Sequence, residues 1–203
     1  MGRPTRFRLA GIPQLITQRG HNRLPCFIDG EDYSLFRDIL TESAELADCE
    51  VQALLMLPSA YWILALPTEP DSVARMIQRT GRCYVRHCNE KYRREGTLWA
   101  GRYRACLVEP KKVPLSHCLA YIENTPARNG VVAAGTQWPW MFVDGGLKGG
   151  KATGHEAEFD AISSSLEKGL VYGSEVFRRE IAAVAGVRTE PGLRGRPSNT
   201  VNA

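Results

Sequence analysis

The sequence predicts an α+β fold: a ferredoxin-like antiparallel sheet with helices on one face, followed by a short helical C-terminal extension. Apolar stretches of strand length alternate with amphipathic stretches in the order strand, helix, strand, strand, helix, strand and helix. The chain has 203 residues, 43% of them hydrophobic, which is enough for one domain with a real core and an appendage. This order is typical of an α+β sandwich.

The first four elements follow from periodicity and turn residues. Residues 12–20 form a predicted strand that ends in a polar turn. Residues 31–48 form a predicted helix, because apolar side chains recur there near helical spacing. Residues 49–58 are an apolar strand, and the tight turn at Pro58 and Ser59 joins it to a strand that ends at Pro67. We expect these two strands to pair as a hairpin.

The next three elements are a long helix over roughly residues 71–94, a strand over residues 103–108 and a helix with Pro114 in its first turn that runs to about residue 125. These elements complete the core domain, predicted at residues 1–142. A Gly-rich linker is predicted at 143–155, a helical extension at 156–187 and a disordered basic tail at 188–203. The extension is either a packing brace or a small DNA-binding accessory.

The composition disfavours several classes of protein. No apolar run reaches the ~20 residues that a membrane span needs, and the N-terminus lacks the apolar segment of a secretory signal. The six cysteines form no CxxC pair, which is typical of reduced core cysteines and disfavours structural zinc. We expect a cytoplasmic, nucleoid-associated protein with no membrane partner.

Positive charge is concentrated in one part of the chain. Between Arg75 and Lys112 there are eleven Lys or Arg and three Glu, a net charge of +8 in a protein whose total is +4. This concentration favours a polyanionic partner, although a solvated helix face would have similar charge.

The long helix carries an arginine stripe, which we define as the five arginines that share one face within an arc of about 60°. Apolar side chains and Thr80 occupy the opposite face. Arginine suits phosphate because its planar fork binds two oxygens at once. The stripe therefore predicts phosphate contacts. Its members are Arg75, Arg79, Arg82, Arg86 and Arg93.

Two further groups of side chains are candidates for nucleic-acid chemistry. Residues 18–23, the polar turn, carry Gln, Arg, His and Asn side chains of the kind that read base edges, although a polar hairpin loop without this role is the alternative.

Tyr121 lies on the flank of the buried stripe of its helix, with His117 one turn earlier and Asn124 and Thr125 one turn later. A packing residue and a phenolic nucleophile are both possible roles for Tyr121.

Several stretches, in this order and at nearly the expected spacing, resemble the REP-associated tyrosine transposases. These are single-tyrosine HUH transposases of bacterial insertion sequences. The resemblance covers about residues 6–140, and the segments GSEVFRREI and RGRP also resemble the family's C-terminal part. The stretches are QLITQRGHNRLPCF, EDYSLFRDIL, GRCYVRHCNEKYRREGTLWAGRYRACLVE, YIENTPARNGVV and QWPW.

The resemblance implies a function and a set of site residues. It implies a homodimer that binds hairpin DNA with a short single-stranded guide and carries out DNA transposition and recombination through a phosphotyrosine. The nucleophile would be Tyr121, with His117, Asn124 and Thr125 as possible helpers. Guide recognition would fall to the polar turn. The DNA-binding residues predicted from the resemblance and the charge pattern are Arg19, Asn22, Arg23, Arg75, Arg79, Arg82, Arg86, Arg93, Arg102 and Arg104.

The family's metal ligands are missing from this sequence. The two histidines that hold its cation fall at Ala60 and Trp62, and neither side chain can ligate Mg²⁺ or Mn²⁺. The family's Asn-Pro pair is Thr125-Pro126 here, with Asn124 displaced by one position. We therefore predict a bacterial DNA-binding protein with a degenerate active site, without a metal and with tyrosine cleavage impaired or lost. The alternatives are an active transposase that uses Mg²⁺ or Mn²⁺ at a rearranged site, and a binder of structured RNA.

Overall fold

A computed structural model describes residues 7–143, 156–185 and 189 of the chain. Five helices and six strands occur in these ranges, with a short 3₁₀ turn at His21–Arg23. The strands are β1 Gln14–Arg19, β2 Cys49–Leu57, β3 Ala60–Pro67, β4 Arg104–Val108, β5 Met141–Val143 and β6 Val171–Tyr172. The helices are α1 Gly30–Glu45, α2 Ser72–Lys91, α3 Lys112–Arg128, α4 Glu156–Lys168 and α5 Glu175–Ala185.

The sheet has the order β5-β2-β3-β1-β4-β6. Its four central strands are the four predicted ones, and each central pair is antiparallel, as the ferredoxin-like order requires. The predicted fold class is therefore confirmed. The two outer strands, β5 and β6, were not predicted, because three and two residues are too few to show a period. β5 pairs with β2 in antiparallel fashion, and β6 pairs with β4 in parallel.

Helices cover both faces of this sheet, not one face as the sequence predicts, because α3 and α4 lie opposite α1 and α2. α1 and α2 share one face, where Phe36 and Tyr84 belong to one buried core with Tyr61. α3 and α4 lie on the opposite face, where Ile122 and Phe159 belong to a second core. The central strands explain this two-sided burial, because consecutive residues in each of them are apolar and buried rather than alternating.

Helix ends follow local backbone chemistry. The carboxylates of Asp29 and Asp32 form a capping box at the start of α1. α2 ends at Lys91, three residues before its predicted end near residue 94, because Arg93 has a left-handed φ of 49°. α3 begins two residues before Pro114 and continues past Pro126 to Arg128, beyond its predicted end near residue 125.

The described part of the C-terminal extension packs on the core. β6 lies beside β4, and the buried carboxylate of Glu109 accepts hydrogen bonds from the backbone N–H and the hydroxyl of Ser174, just before α5. The predicted linker and tail lie outside the described residues, except for Val143 and Thr189. None of the described helices combines the length and the apolar character needed to cross a membrane.

Candidate nucleic-acid interface and tyrosine site

Helix α2 has the two faces that its sequence predicts. Its buried side chains include Val73, Ile77, Thr80, Tyr84 and Cys88. The Tyr84 hydroxyl donates to the carbonyl of Cys26 at 2.7 Å, which ties the buried face to the segment after β1. The opposite face, with the arginine stripe, is therefore held toward solvent.

The first two arginines of the stripe already have protein partners. The Arg79 guanidinium contacts the Glu42 carboxylate of α1 at 2.6 Å. Arg75 donates to the Ala47 carbonyl at 3.1 Å and lies 3.9 Å from the Asp48 carboxylate. Both carboxylates lie outside the charge-rich segment of the sequence, so its count of charges did not reveal them.

The next two arginines of the stripe are open. Arg82 and Arg86 are exposed, and neither forms a hydrogen bond or ion pair with any described residue. Together with Asn89, Glu90 and Arg94 they line a shallow groove. Arg93 is exposed but lies beyond the end of α2, so it does not extend the helical stripe. Arg94 in this groove was not among the predicted DNA-binding residues.

Three grooves follow one another from α2 to the ends of β1 and β4. The groove beside Arg86 shares Arg82 with a second groove, which also reaches Trp99 and Tyr103. This second groove shares Gln18, Gly101 and Arg102 with a third, smaller one that Arg19 and Arg104 line. The structure thus brings Arg19, Arg82, Arg102 and Arg104 to one connected series of grooves.

The polar turn after β1 has an unusual backbone. Asn22 and Arg23 are exposed and have left-handed φ values of 54° and 59°. Asparagine tolerates this region better than most residues do. Gly20 has an ordinary φ of −61°, but a Cβ there would lie 2.3 Å from the Leu24 carbonyl oxygen. Glycine at position 20 therefore permits close packing, and the sharp turn itself is made at positions 22 and 23.

A second loop holds the polar turn in place. The Arg19 carbonyl accepts from Ala100 N–H at 2.9 Å, and the Leu98 carbonyl accepts from His21 N–H at 2.9 Å. The Gln18 amide donates to the Gly101 carbonyl at 2.6 Å and accepts from the Tyr61 hydroxyl at 2.7 Å. Gln18 thus positions the loop, while His21, Asn22 and Arg23 remain exposed.

Tyr121 lies on the other face of the sheet and is 7% exposed. Its ring packs edge-on against Phe159 of α4, with ring centres 6.0 Å apart, and the Arg128 guanidinium lies 5.8 Å from the ring centre. Burial raises the pKa of the phenol, although hydrogen bonds with Ser163 and Trp62 and the charge of Arg128 oppose this rise. Ser163 and Phe159 could not be found from the sequence, because they reach Tyr121 only through the fold.

Ala60 and Trp62 lie at the positions where the resemblance places metal ligands. They share one face of β3, because residues two apart in a strand point to the same side. This face packs against α3, so both residues belong to the same buried core as Tyr121. The Trp62 indole packs in this core with Tyr121, and its N–H acts to lower the pKa of the phenol. A methyl group and an indole N–H donor offer no lone pair to a cation, so these residues do not fit the divalent ion that the resemblance implies.

The possible helpers of Tyr121 have partners of their own. His117 Nδ1 lies 2.8 Å from the Tyr172 hydroxyl of β6. The Asn124 amide donates to the Ala120 carbonyl at 2.8 Å, and the buried Thr125 hydroxyl donates to the Tyr121 carbonyl at 2.6 Å. Within the described ranges, no group of three or more His, Cys, Asp or Glu could hold a metal ion.

Comparisons with known proteins give a likeness of structure. No family model matches the chain, and no curated protein matches it. Among solved structures, the chain is similar to a REP-associated tyrosine transposase bound to a REP hairpin, with a TM-score of 0.62 and 20% identity over 77% of this chain and 96% of that one. A protein of Deinococcus radiodurans R1 with a provisional description as a transposase has a TM-score of 0.41 and 21% identity, over 63% of this chain and 95% of that one. At these identities the first likeness establishes the fold.

Proposed function

We propose that this chain binds hairpin DNA with a single-stranded flank, and that metal-dependent cleavage by Tyr121 is impaired or lost. The observation that carries the proposal is the connected series of arginine-lined grooves from Arg86 to Arg104. Guanidinium groups on an open surface suit a phosphate backbone. The fold shared with a transposase whose structure contains a REP hairpin supports DNA as the polyanion.

The polar turn would supply base recognition. Arg19 lines the third groove at the end of β1, and Asn22 and Arg23 are exposed in the turn that follows, where side chains can reach unpaired bases. The left-handed backbone at positions 22 and 23 presents these two side chains at the surface. Phosphate contacts along α2 would then position the strand, and contacts at the turn would discriminate between sequences.

Loss of cleavage follows from the surroundings of Tyr121. A phenol with an ordinary pKa near 10 already needs help to attack phosphate at neutral pH, and burial raises the pKa of Tyr121 further. A metal ion that polarises phosphate is worth several kcal/mol, and the donors for it are absent at Ala60 and Trp62. Phosphate binding needs no metal, so binding can persist without cleavage.

A binding and adduct experiment tests this function. A labelled DNA hairpin with a single-stranded flank, a scrambled hairpin and the matching RNA hairpin are titrated with the protein in EDTA, Mg²⁺ and Mn²⁺. We expect equal DNA affinity in all three conditions, weaker binding of the RNA and no covalent species on denaturing gels. A metal-dependent adduct that disappears in Tyr121→Phe would instead establish an active transposase, and tighter binding of the RNA would establish a binder of structured RNA.

A further inference from the structure

The end of the sheet near Ala60 carries two arginines on the same face as Tyr121. In the strand register, Arg19 of β1 lies opposite Ala60 of β3, and Thr17 lies opposite Trp62. On the other side of β1, Thr17 lies opposite Arg104 of β4. Arg104, Thr17 and Trp62 therefore form one cross-strand row, and Arg19 and Ala60 form the next row.

Strand alternation fixes the face on which these side chains lie. Leu15 and Cys106 belong to the same buried core as Trp62 and Tyr121. Positions two residues apart share a face, so Arg19 follows Leu15 on this face, and Arg104 precedes Cys106 on it. Adjacent strands are about 4.8 Å apart, which puts the backbone of Arg104 about 10 Å from that of Trp62.

The surroundings of the two arginines favour an anion. Both are exposed, and neither forms an ion pair with a described carboxylate. The groove that they line has Thr17, Gln18 and the segment 100–102 as its other walls, with no acidic residue among its described lining residues. Hydrogen bonds from Ala100 N–H to the Arg19 carbonyl and from the Gln18 amide to the Gly101 carbonyl fix these walls.

We propose that Arg19 and Arg104 form a phosphate cradle, which binds one phosphate of the nucleic-acid strand on the sheet face of Tyr121. This cradle rests on the proposed function, which it refines by naming the ligand at this end of the groove series. The two guanidinium groups hold positive charge one or two strands away from the positions that lack metal ligands. Each can bind two phosphate oxygens, so the phosphate is held without a divalent cation.

The first test uses inorganic phosphate in EDTA. The arginine side-chain N–H resonances of the whole protein are followed by NMR during a phosphate titration, with sulfate as a second anion of similar shape. We expect the Arg19 and Arg104 resonances to shift together with one binding curve, and either Arg19→Gln or Arg104→Gln to weaken this binding about tenfold. Arg37→Gln is the matched control, because Arg37 is paired with Asp38 on α1.

The second test finds the phosphate on the DNA. Neutral methylphosphonates replace the phosphates of the flanked hairpin one at a time, and affinity is measured by fluorescence anisotropy in EDTA. Replacement of one particular phosphate should weaken hairpin binding about tenfold in the native protein. The same replacement should have little effect in Arg104→Gln, because that variant already lacks the contact between Arg104 and the phosphate. Arg104→Lys should restore part of the affinity, since it keeps the charge and loses the fork.

The outcomes separate the cradle from the proposed function. Joint phosphate shifts without hairpin binding would leave the cradle standing and overturn DNA binding. Hairpin binding without joint shifts, and with no methylphosphonate position coupled to Arg19 or Arg104, would overturn the cradle and leave DNA binding standing. Melting temperatures of the Gln variants within about 2 °C of the native protein establish that a loss of binding reflects the contact.

Discussion

The polar side chains on the two faces of the sheet differ in exposure and in their contacts. On the α2 side, Arg82 and Arg86 are exposed beside a groove, and they make no ion pair with a described residue. On the α3 side, Tyr121 is buried, its hydroxyl is near Trp62 and Ser163, and Phe159 packs against its ring. The α2 face presents arginines to solvent along a helix, whereas the α3 face is closed around Tyr121 and carries exposed arginines at the strand ends, Arg19 and Arg104. Binding and cleavage can therefore be separated in this fold.

The largest expected effect tests whether the α3 side is closed by packing. Trp62→Ala removes a buried indole from the core, so the free energy of unfolding should fall by about 3–5 kcal/mol. Urea denaturation measures this change. Leu24→Ala is the control on the other side, because Leu24 is 56% exposed and its loss should cost less than about 0.5 kcal/mol. A cost below about 1 kcal/mol for Trp62→Ala would mean that the tyrosine face is open.

The second prediction compares two pairs of arginines within the arginine stripe, one open and one already paired with protein groups. Replacing Arg82 and Arg86 with Ala should weaken hairpin binding roughly 10- to 100-fold and lower the slope of log affinity against log salt by about two units. Replacing Arg75 and Arg79 with Ala should change affinity less than about threefold, because Glu42, Asp48 and the Ala47 carbonyl already hold them. Equal losses in the two double variants would show that all four arginines contact phosphate.

This division shows what periodicity can and cannot predict. The spacing of arginines along α2 locates the exposed face, because a helix repeats every 3.6 residues. It cannot reveal Glu42, which is 37 positions away and reaches Arg79 only through the packing of α1 on α2. The four central strands were predictable from long apolar runs. Strand β6 and the cover over Tyr121 were not, because they depend on contacts between residues that are distant in sequence.

A third prediction concerns the buried phenol. Tyr121→Phe should leave hairpin affinity unchanged, because the hydroxyl faces Trp62 and Ser163 and not the groove series. Its unfolding free energy should fall by about 1 kcal/mol, since a buried hydroxyl and its polar interactions are removed. Anisotropy titrations and urea denaturation on the same sample measure both quantities. A large loss of affinity would place the Tyr121 hydroxyl at the nucleic acid and remove the contrast between the two faces.

The smallest effect concerns β6 and α5 of the C-terminal extension, and it appears at acid pH. Hydrogen bonding to Lys111 and Ser174 lowers the pKa of Glu109 below its usual value. A lowered folded-state pKa contributes stability that is present above the unfolded-state value near 4.3 and is lost as pH falls through the folded-state value. We therefore expect hydrogen exchange in β6 and the first turn of α5 to speed up below about pH 4.3 before exchange in α2 does, because Ser174 N–H and its hydroxyl then lose a charged acceptor.

Glu109→Gln should speed this exchange at neutral pH and remove most of its acid dependence. Glu175→Gln is the control, because Glu175 lies at the exposed start of α5. If α2 and β6 open together at every pH, the extension is part of one cooperative unit with the core.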